Sequence, residues 1–255
     1  MSTSQASSKS DLTAMVKHAV RNHVRDDQII GLGSGRAVAT FVRELGRRTN
    51  KKKFRIVATS LQIEVEAENA GLLMLNSSTI DQVDVVFDGA DQIDANLFMI
   101  KGGGGALLRE KILMYSARKV IILADASKYV DQFRRSVPIE VIPFARSTVA
   151  RNLSRIGAKI ELRQYPTGYP FFTDNGNVIF DASFPSIQDP EALERELTRV
   201  PGIVEVGIFT RRADLYYEVS GEGSFRTIVY SKNGKYSVSE VTAVETPTEG
   251  SGKVV

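Results

Sequence analysis

Four consecutive glycines, Gly102 to Gly105, stand between an apolar segment ending in Met99-Ile100 and a helical pattern running from Ala106 to Ala117. No helix or strand holds together through four residues without side chains, so the chain has to turn here. Two readings of the run remain open. It is either a flexible turn or a place where backbone N–H groups at a helix start converge on an anion. The stretch around it, Asp88 to Lys111, reads DGADQIDANLFMIKGGGGALLREK and sets Asp88, Asp91 and Glu110 around Lys101.

The helical pattern after the glycines sharpens the question. At 3.6 residues per turn Glu110 shares a stripe with Ala106, Leu113 and Ala117, while Leu108, Ile112 and Tyr115 lie opposite. Both sides are apolar, which predicts a mostly buried helix. A buried carboxylate is costly unless paired, and desolvation raises its pKa toward the range of a working base. Glu110 is therefore either one half of a structural ion pair, with Arg109, Lys111 or Lys101, or a general base.

The rest of the chain alternates strands and helices. Asp11 to Val24 has helical spacing with Leu12, Met15, Val16, Ala19 and Val20 on its apolar face; Lys17 lies to the side, by default a solvated charge. Gln28 to Leu32 reads as a buried strand that enters Gly33-Ser34-Gly35 and a helix over Arg36 to Arg48. This GLGSG turn can cradle a phosphate but matches neither the full dinucleotide fingerprint nor a P-loop. Strands are then predicted at Phe54–Thr59, Leu72–Leu75, Val83–Phe87 and Lys119–Ala124, with a helix at Leu61–Ala70. Such alternation favours a parallel sheet covered on both faces, with ligands gathering beyond the carboxyl ends of the strands. Ser34, Ser60, Asp88 and Asp125 each follow a predicted strand, so one sheet edge should collect them.

Near Val137 the pattern changes to βαββαβ: strands at Ile139–Ile142, Lys159–Tyr165, Val178–Asp181 and Ile203–Phe209, and helices at Ser147–Ile156 and from Asp189-Pro190. Ala213 to Val219 and Phe225 to Tyr230 are again extended, and Asn233-Gly234 before Tyr236 is a hairpin signal. The expected fold class is α/β: a Rossmann-like parallel-sheet domain over residues 11–136 plus 209–240, with an inserted ferredoxin-like α+β domain over 137–208. Residues 1–10 are expected to form a disordered tail and 241–255 a flexible one.

Absences narrow the chemistry. The chain has no cysteine and two histidines, His18 and His23, both near its start. That excludes disulfides, thiolate nucleophiles and Cys-ligated zinc, and leaves proton transfer to carboxylates and lysines. The net charge of +3 is small, and its densest basic run, Lys51 to Lys53, reads as a solvated loop, so no nucleic-acid partner is expected. No apolar run reaches membrane-spanning length, and Met1 to Ser10 is too polar for a secretory signal. The expectation is a cytoplasmic protein without a membrane partner.

With GLGSG, DGADQID, KGGGGALLREK, ADASK at 124–128 and PIEVIPFA at 138–145 in this order, the chain resembles the type A ribose-5-phosphate isomerases from about Asp11 to about Tyr230. The resemblance implies interconversion of D-ribose 5-phosphate and D-ribulose 5-phosphate without metal or cofactor, on a Rossmann-like domain with a ferredoxin-like insertion. It implies Glu110 as the base that moves a proton between C1 and C2 through an enediolate. Asp88 and Asp91 would contact sugar hydroxyls and assist ring opening, and Lys101 would sit beside the developing oxyanion. The phosphate end would engage Ser34, Gly35, Arg36 and Ala37 with Lys17 and Lys128. Ser60, Gly89, Ala90, Gly102, Gly103 and Gly104 complete the implied substrate-binding set. A homodimer or homotetramer is also implied.

Two departures bear on this. The family's GTGST loop is here Gly33-Ser34-Gly35-Arg36-Ala37, which loses two hydroxyls and gains a guanidinium suited to phosphate. DGADE has become DGADQ at Gln92, which removes any role for an acid there. Two further readings differ in chemistry: Lys101 forming a Schiff base, and a sugar-phosphate sensor without turnover. The sensor reading has only the Asp11–Val24 helix to offer as a DNA-reading element.

Overall fold

The computed structural model describes residues 3–221, 224–230 and 235–242. It opens with helix α1 (Thr3–His23), then β1 (Ile29–Leu32), α2 (Gly35–Gly46), β2 (Arg55–Ala58), α3 (Leu61–Asn69), β3 (Leu73–Met74) and β4 (Val83–Asp88). Two short strands, β5 (Gln92–Ile93) and β6 (Met99–Ile100), precede α4 (Leu107–Ser116) and β7 (Ala117–Asp125). Helix α1 starts ahead of Asp11, so residues 3–10 are helical rather than a disordered tail. Apolar spacing marks only the part of a helix that packs; the Ser, Gln, Ala and Lys residues before Asp11 include no Gly or Pro to stop it.

The next stretch comprises β8 (Val137–Val141), α5 (Arg146–Arg155), β9 (Lys159–Leu162), β10 (Val178–Ser183), α6 (Pro190–Leu197) and β11 (Ile203–Val206). Its four strands pair antiparallel in the order β11-β8-β10-β9, the ferredoxin-like arrangement that the βαββαβ pattern predicts. Asp189 caps α6 as expected, accepting from Ala192 N at 2.9 Å. The last expected strand divides at Gly207: β11 stays in this sheet, while β12 (Ile208–Phe209) pairs with β6 in a separate three-stranded sheet with β5. Gly207 makes the crossing because a Cβ there would fall 2.4 Å from Lys101 O.

The chain then returns to the main sheet through β13 (Leu215–Gly221), β14 (Ser224–Tyr230) and β15 (Tyr236–Thr242). The main sheet has the order β15-β14-β13-β7-β4-β1-β2-β3, parallel from β13 to β3 and antiparallel at β14 and β15. Asn233-Gly234 lies outside the described residues; Tyr230 and Tyr236 on either side of it pair across β14 and β15. β15 runs to Thr242, two residues into the stretch expected to be a tail.

Side chains alternate along the strands with period two. Ile30, Leu32, Ile121 and Leu123 face a core shared with Phe41, Phe87 and α1 to α3. Val86, Val120 and Ile122 face the other core with Leu107 and Met114 of α4. Each large side chain buried this way contributes about 1.5–3 kcal/mol. Helix α4 differs from expectation on one point. Its Glu110 side is buried, but Ile112 and Tyr115 on the opposite side are more than half exposed. Among the described residues no helix is long and apolar enough to cross a membrane.

Candidate active site

The carboxyl edge of the parallel sheet collects its polar residues as strand polarity requires. Ser34 follows β1 at the N-cap position of α2, Asp88 ends β4, and Asp125 ends β7. Glu110 reaches them from the first turn of α4, and Lys101 follows β6 directly.

Lys101 is the hub. Its Nζ lies 2.9 Å from Asp88 Oδ2 and 3.2 Å from Glu110 Oε2, and donates to Gly89 O at 2.6 Å. All three side chains are at most 3% exposed. Ser34 Oγ leaves its helix uncapped and donates instead to Glu110 Oε1 at 2.6 Å. Asp88 Oδ1 accepts from Gly89 N at 2.7 Å and Ser34 N at 3.3 Å.

Electrostatics separate the members of this cluster. Burial, and then the charge of Glu110, push the Asp88 carboxyl up to about 7, against the pull of Lys101 and the Gly89 N–H. Burial alone would lower the Lys101 ammonium. The charges of Asp88 and Glu110 outweigh it and hold the group above its ordinary value. A lysine held protonated in this way is a poor nucleophile, which argues against the Schiff-base reading. It is a good fixed cation.

Glycines let the backbones close in on this cluster. A Cβ at Gly33 would fall 1.8 Å from Asp88 Oδ1, and one at Gly103 would fall 2.7 Å from Asp91 Oδ1. Gly103 N donates to Asp91 Oδ2 at 2.7 Å, and Gly105 N closes the turn onto Gly102 O at 3.0 Å. Gly102 and Gly105 have φ of +102° and +86°, which side-chain-bearing residues rarely adopt. The glycine run is a defined turn rather than a loose one.

A cleft of about 670 Å³ opens over this arrangement. Its lining includes Ser34, Gly35, Arg36, Ala37, Gly89, Ala90, Asp91, Lys101, Gly102, Gly103, Gly104, Glu110 and Lys128, so most of the residues singled out from sequence come together. Three do not line it. Asp88 is fully buried behind Lys101, because its side chain points under Gly33 rather than outward. Ser60 caps α3, with Oγ accepting from Ile63 N at 3.4 Å. Lys17 is exposed on α1 outside the lining, and Leu12 of the same helix reaches the cleft instead.

Residues outside the implied substrate-binding set also contribute. Asp125, Ser127 and Val219 border the cleft, and Phe209 places its ring 5.5 Å from Lys101 Nζ. Arg163 of the inserted domain donates to the carbonyls of Gly102 at 2.8 Å and Gly103 at 3.2 Å. Gln92, where the resemblance expects an acid, is buried, and its Oε1 accepts from Arg134 N at 2.9 Å and Arg135 N at 3.0 Å. An amide oxygen there holds backbone.

Comparison with known proteins finds relatives in both sequence and overall shape. Residues 55–223 match the family model described as ribose 5-phosphate isomerase A (phosphoriboisomerase A). The ribose-5-phosphate isomerase A of Korarchaeum cryptofilum is 43% identical over 197 residues, 75% of this chain and 86% of that one. The solved ribose 5-phosphate isomerase A of Methanocaldococcus jannaschii superposes with a TM-score of 0.79 at 34% identity, covering 92% of this chain and 100% of that one. A D-ribose-5-phosphate isomerase solved in complex with phospho-erythronic acid also gives 0.79, at 36% identity, with coverage of 92% and 98%. A family model matched over more than half of the chain, a relative 43% identical and solved structures of the same shape together show that the chain belongs to the ribose-5-phosphate isomerase A family.

Proposed function

We propose that the cleft isomerises D-ribose 5-phosphate and D-ribulose 5-phosphate, and that Glu110 carries the proton. The observation that carries this reading is the state of the Glu110 carboxylate. One oxygen is oriented by Ser34 Oγ, and the other, Oε2, is buried beside Lys101 Nζ with no hydrogen bond among the described residues. Such an oxygen has a lone pair available and a fixed cation 3.2 Å away.

In the open-chain aldose, Glu110 takes the proton from C2. The C–H electrons form the C1–C2 double bond, and charge develops on the carbonyl oxygen, where Lys101 stabilises it. The same carboxylic acid returns its proton to C1, while a proton passes from the C2 hydroxyl to the C1 oxygen, leaving the ketone at C2. Asp91, at the cleft wall, is the acid placed to meet sugar hydroxyls. Asp88 acts from behind by holding Lys101.

For the phosphate, the start of α2 at Gly35 offers unpaired N–H groups, with Arg36 and Lys128 in the same lining. A cavity of about 670 Å³ suits a five-carbon sugar phosphate. A cytoplasmic homodimer or homotetramer completes the proposal, in keeping with the cysteine-free composition and with the inserted domain as an assembly element. Purified protein mixed with EDTA and ribose 5-phosphate should produce ketose at an undiminished rate. Binding without turnover would leave a sensor, and turnover lost to EDTA would point to metal chemistry.

A further inference from the structure

The inserted domain reaches the glycine turn that lines the cleft through a charged side chain. Arg163 follows β9, and its guanidinium is gripped from two sides by Asp181 of β10, Nε to Oδ2 at 2.9 Å and Nη2 to Oδ1 at 2.5 Å. This fork leaves Nη1 free, and it bridges Gly102 O at 2.8 Å and Gly103 O at 3.2 Å. Phe171 packs beside it, with the ring centroid 5.9 Å from the guanidinium carbon. The ring edge occupies the space a side chain on Gly105 would need.

A trans peptide points its C=O and N–H in opposite directions. Drawing the Gly102 and Gly103 carbonyls toward Arg163 therefore turns the N–H groups of Gly103 and Gly104 the other way. Gly103 N–H meets Asp91, and Gly104 stands at the cleft, where an added Cβ would lie 3.3 Å from Ser34 Oγ. The guanidinium also polarises both peptide units, which makes these N–H groups stronger donors. A flexible four-glycine run would otherwise lose much of its aim to conformational entropy.

We propose that Arg163 is a positioning residue for the isomerisation: from the inserted domain it aims the Gly102–Gly104 peptides, and through them Asp91, at the reacting sugar. The proposal deepens the reading of the cleft given above and rests on it. Positioned donors act mainly on the transition state, so the loss should appear in kcat and not in KM. Arg163→Gln should lower kcat by about 10- to 100-fold, less than the roughly 10²- to 10³-fold for deleting a donor outright, with KM little changed. Arg163→Lys keeps a cation but cannot grip Asp181 and both carbonyls at once, so it should recover only part of the loss.

Asp181→Asn keeps the packing and frees the guanidinium from one partner, and should lower kcat by about 3- to 10-fold. Parental kcat in Arg163→Gln, or a rise in KM alone, overturns the proposal. If Arg163→Gln does not fold, parental kcat in Asp181→Asn overturns it equally. Glu110→Gln run in the same assay keeps the two ideas apart: full activity in that variant defeats the reading of the base whatever the Arg163 variants do.

Discussion

Lys101 and Lys111 lie ten positions apart, and each is buried between two carboxylates. Both approach the ring of Phe209, at 5.5 and 4.7 Å from its centroid. Their neighbours differ. Lys111 Nζ meets Glu194 at 2.6 Å, Glu205 at 2.9 Å, and the carbonyls of Val206 at 3.0 Å and Ile208 at 2.8 Å. Its carboxylates are met in turn, Glu194 by Thr210 Oγ1 at 2.5 Å and Glu205 by Val206 N at 2.8 Å. Around Lys101, the Glu110 carboxylate takes, among the described residues, only the Ser34 hydroxyl besides the lysine, and burial has raised Asp88. The same charge triplet is a staple where the protein satisfies its oxygens. It becomes a reagent where carboxylate oxygens, Glu110 Oε2 among them, have no hydrogen bond among the described residues and the glutamate lines a cleft.

The largest effect that could break this contrast is in turnover. Glu110→Gln keeps the shape and the Ser34 contact but removes the base, so kcat should fall by roughly 10²- to 10⁴-fold, the usual share of a positioned general base. Binding of ribose 5-phosphate, measured by calorimetry, should survive. Near-parental kcat would reduce Glu110 to an ion-pair partner like Glu194.

Lys111→Met should produce the converse. It strands Glu194 and Glu205 at the junction of α4 with the inserted domain, and breaking a buried pair from one side costs about 3 kcal/mol here, the low end because both acids keep some solvent contact. Urea unfolding measures that loss, while kcat on the folded fraction should hold. A variant that stays stable but turns over slowly would move Lys111 into the reaction and erase the distinction.

The two clusters also differ in how far local sequence exposes them. Ser34, Asp88, Lys101 and Glu110 sit at strand ends or helix starts beside glycines, where backbone polarity alone sends them to one edge. Lys111 finds its acids 83 and 94 residues away, and no spacing along α4 announces them. Arg163 is similarly silent, reaching Gly102 from 61 positions off. Ser60 shows the opposite failure: a serine after a strand is also a helix cap, and the cap took it. Strand alternation predicted the main sheet because long β-branched runs are local signals. The two-residue strands β5, β6 and β12 are set by pairing and leave no such trace.

The smallest effect concerns pH. The Asp88 carboxyl is raised from an ordinary 3.8 to about 7, so between those values the folded protein holds a proton that the unfolded chain has released. Stability must therefore fall as pH rises through this window, since the native state is the one binding more protons. The contribution is whole below about pH 4 and gone above about 7. The urea midpoint followed from pH 4 to 8 should carry this downward component, and Asp88→Asn should flatten it. If the slope is the same in Asp88→Asn, the strained acid lies elsewhere, and the Lys101 cluster is as fully satisfied as its Lys111 counterpart.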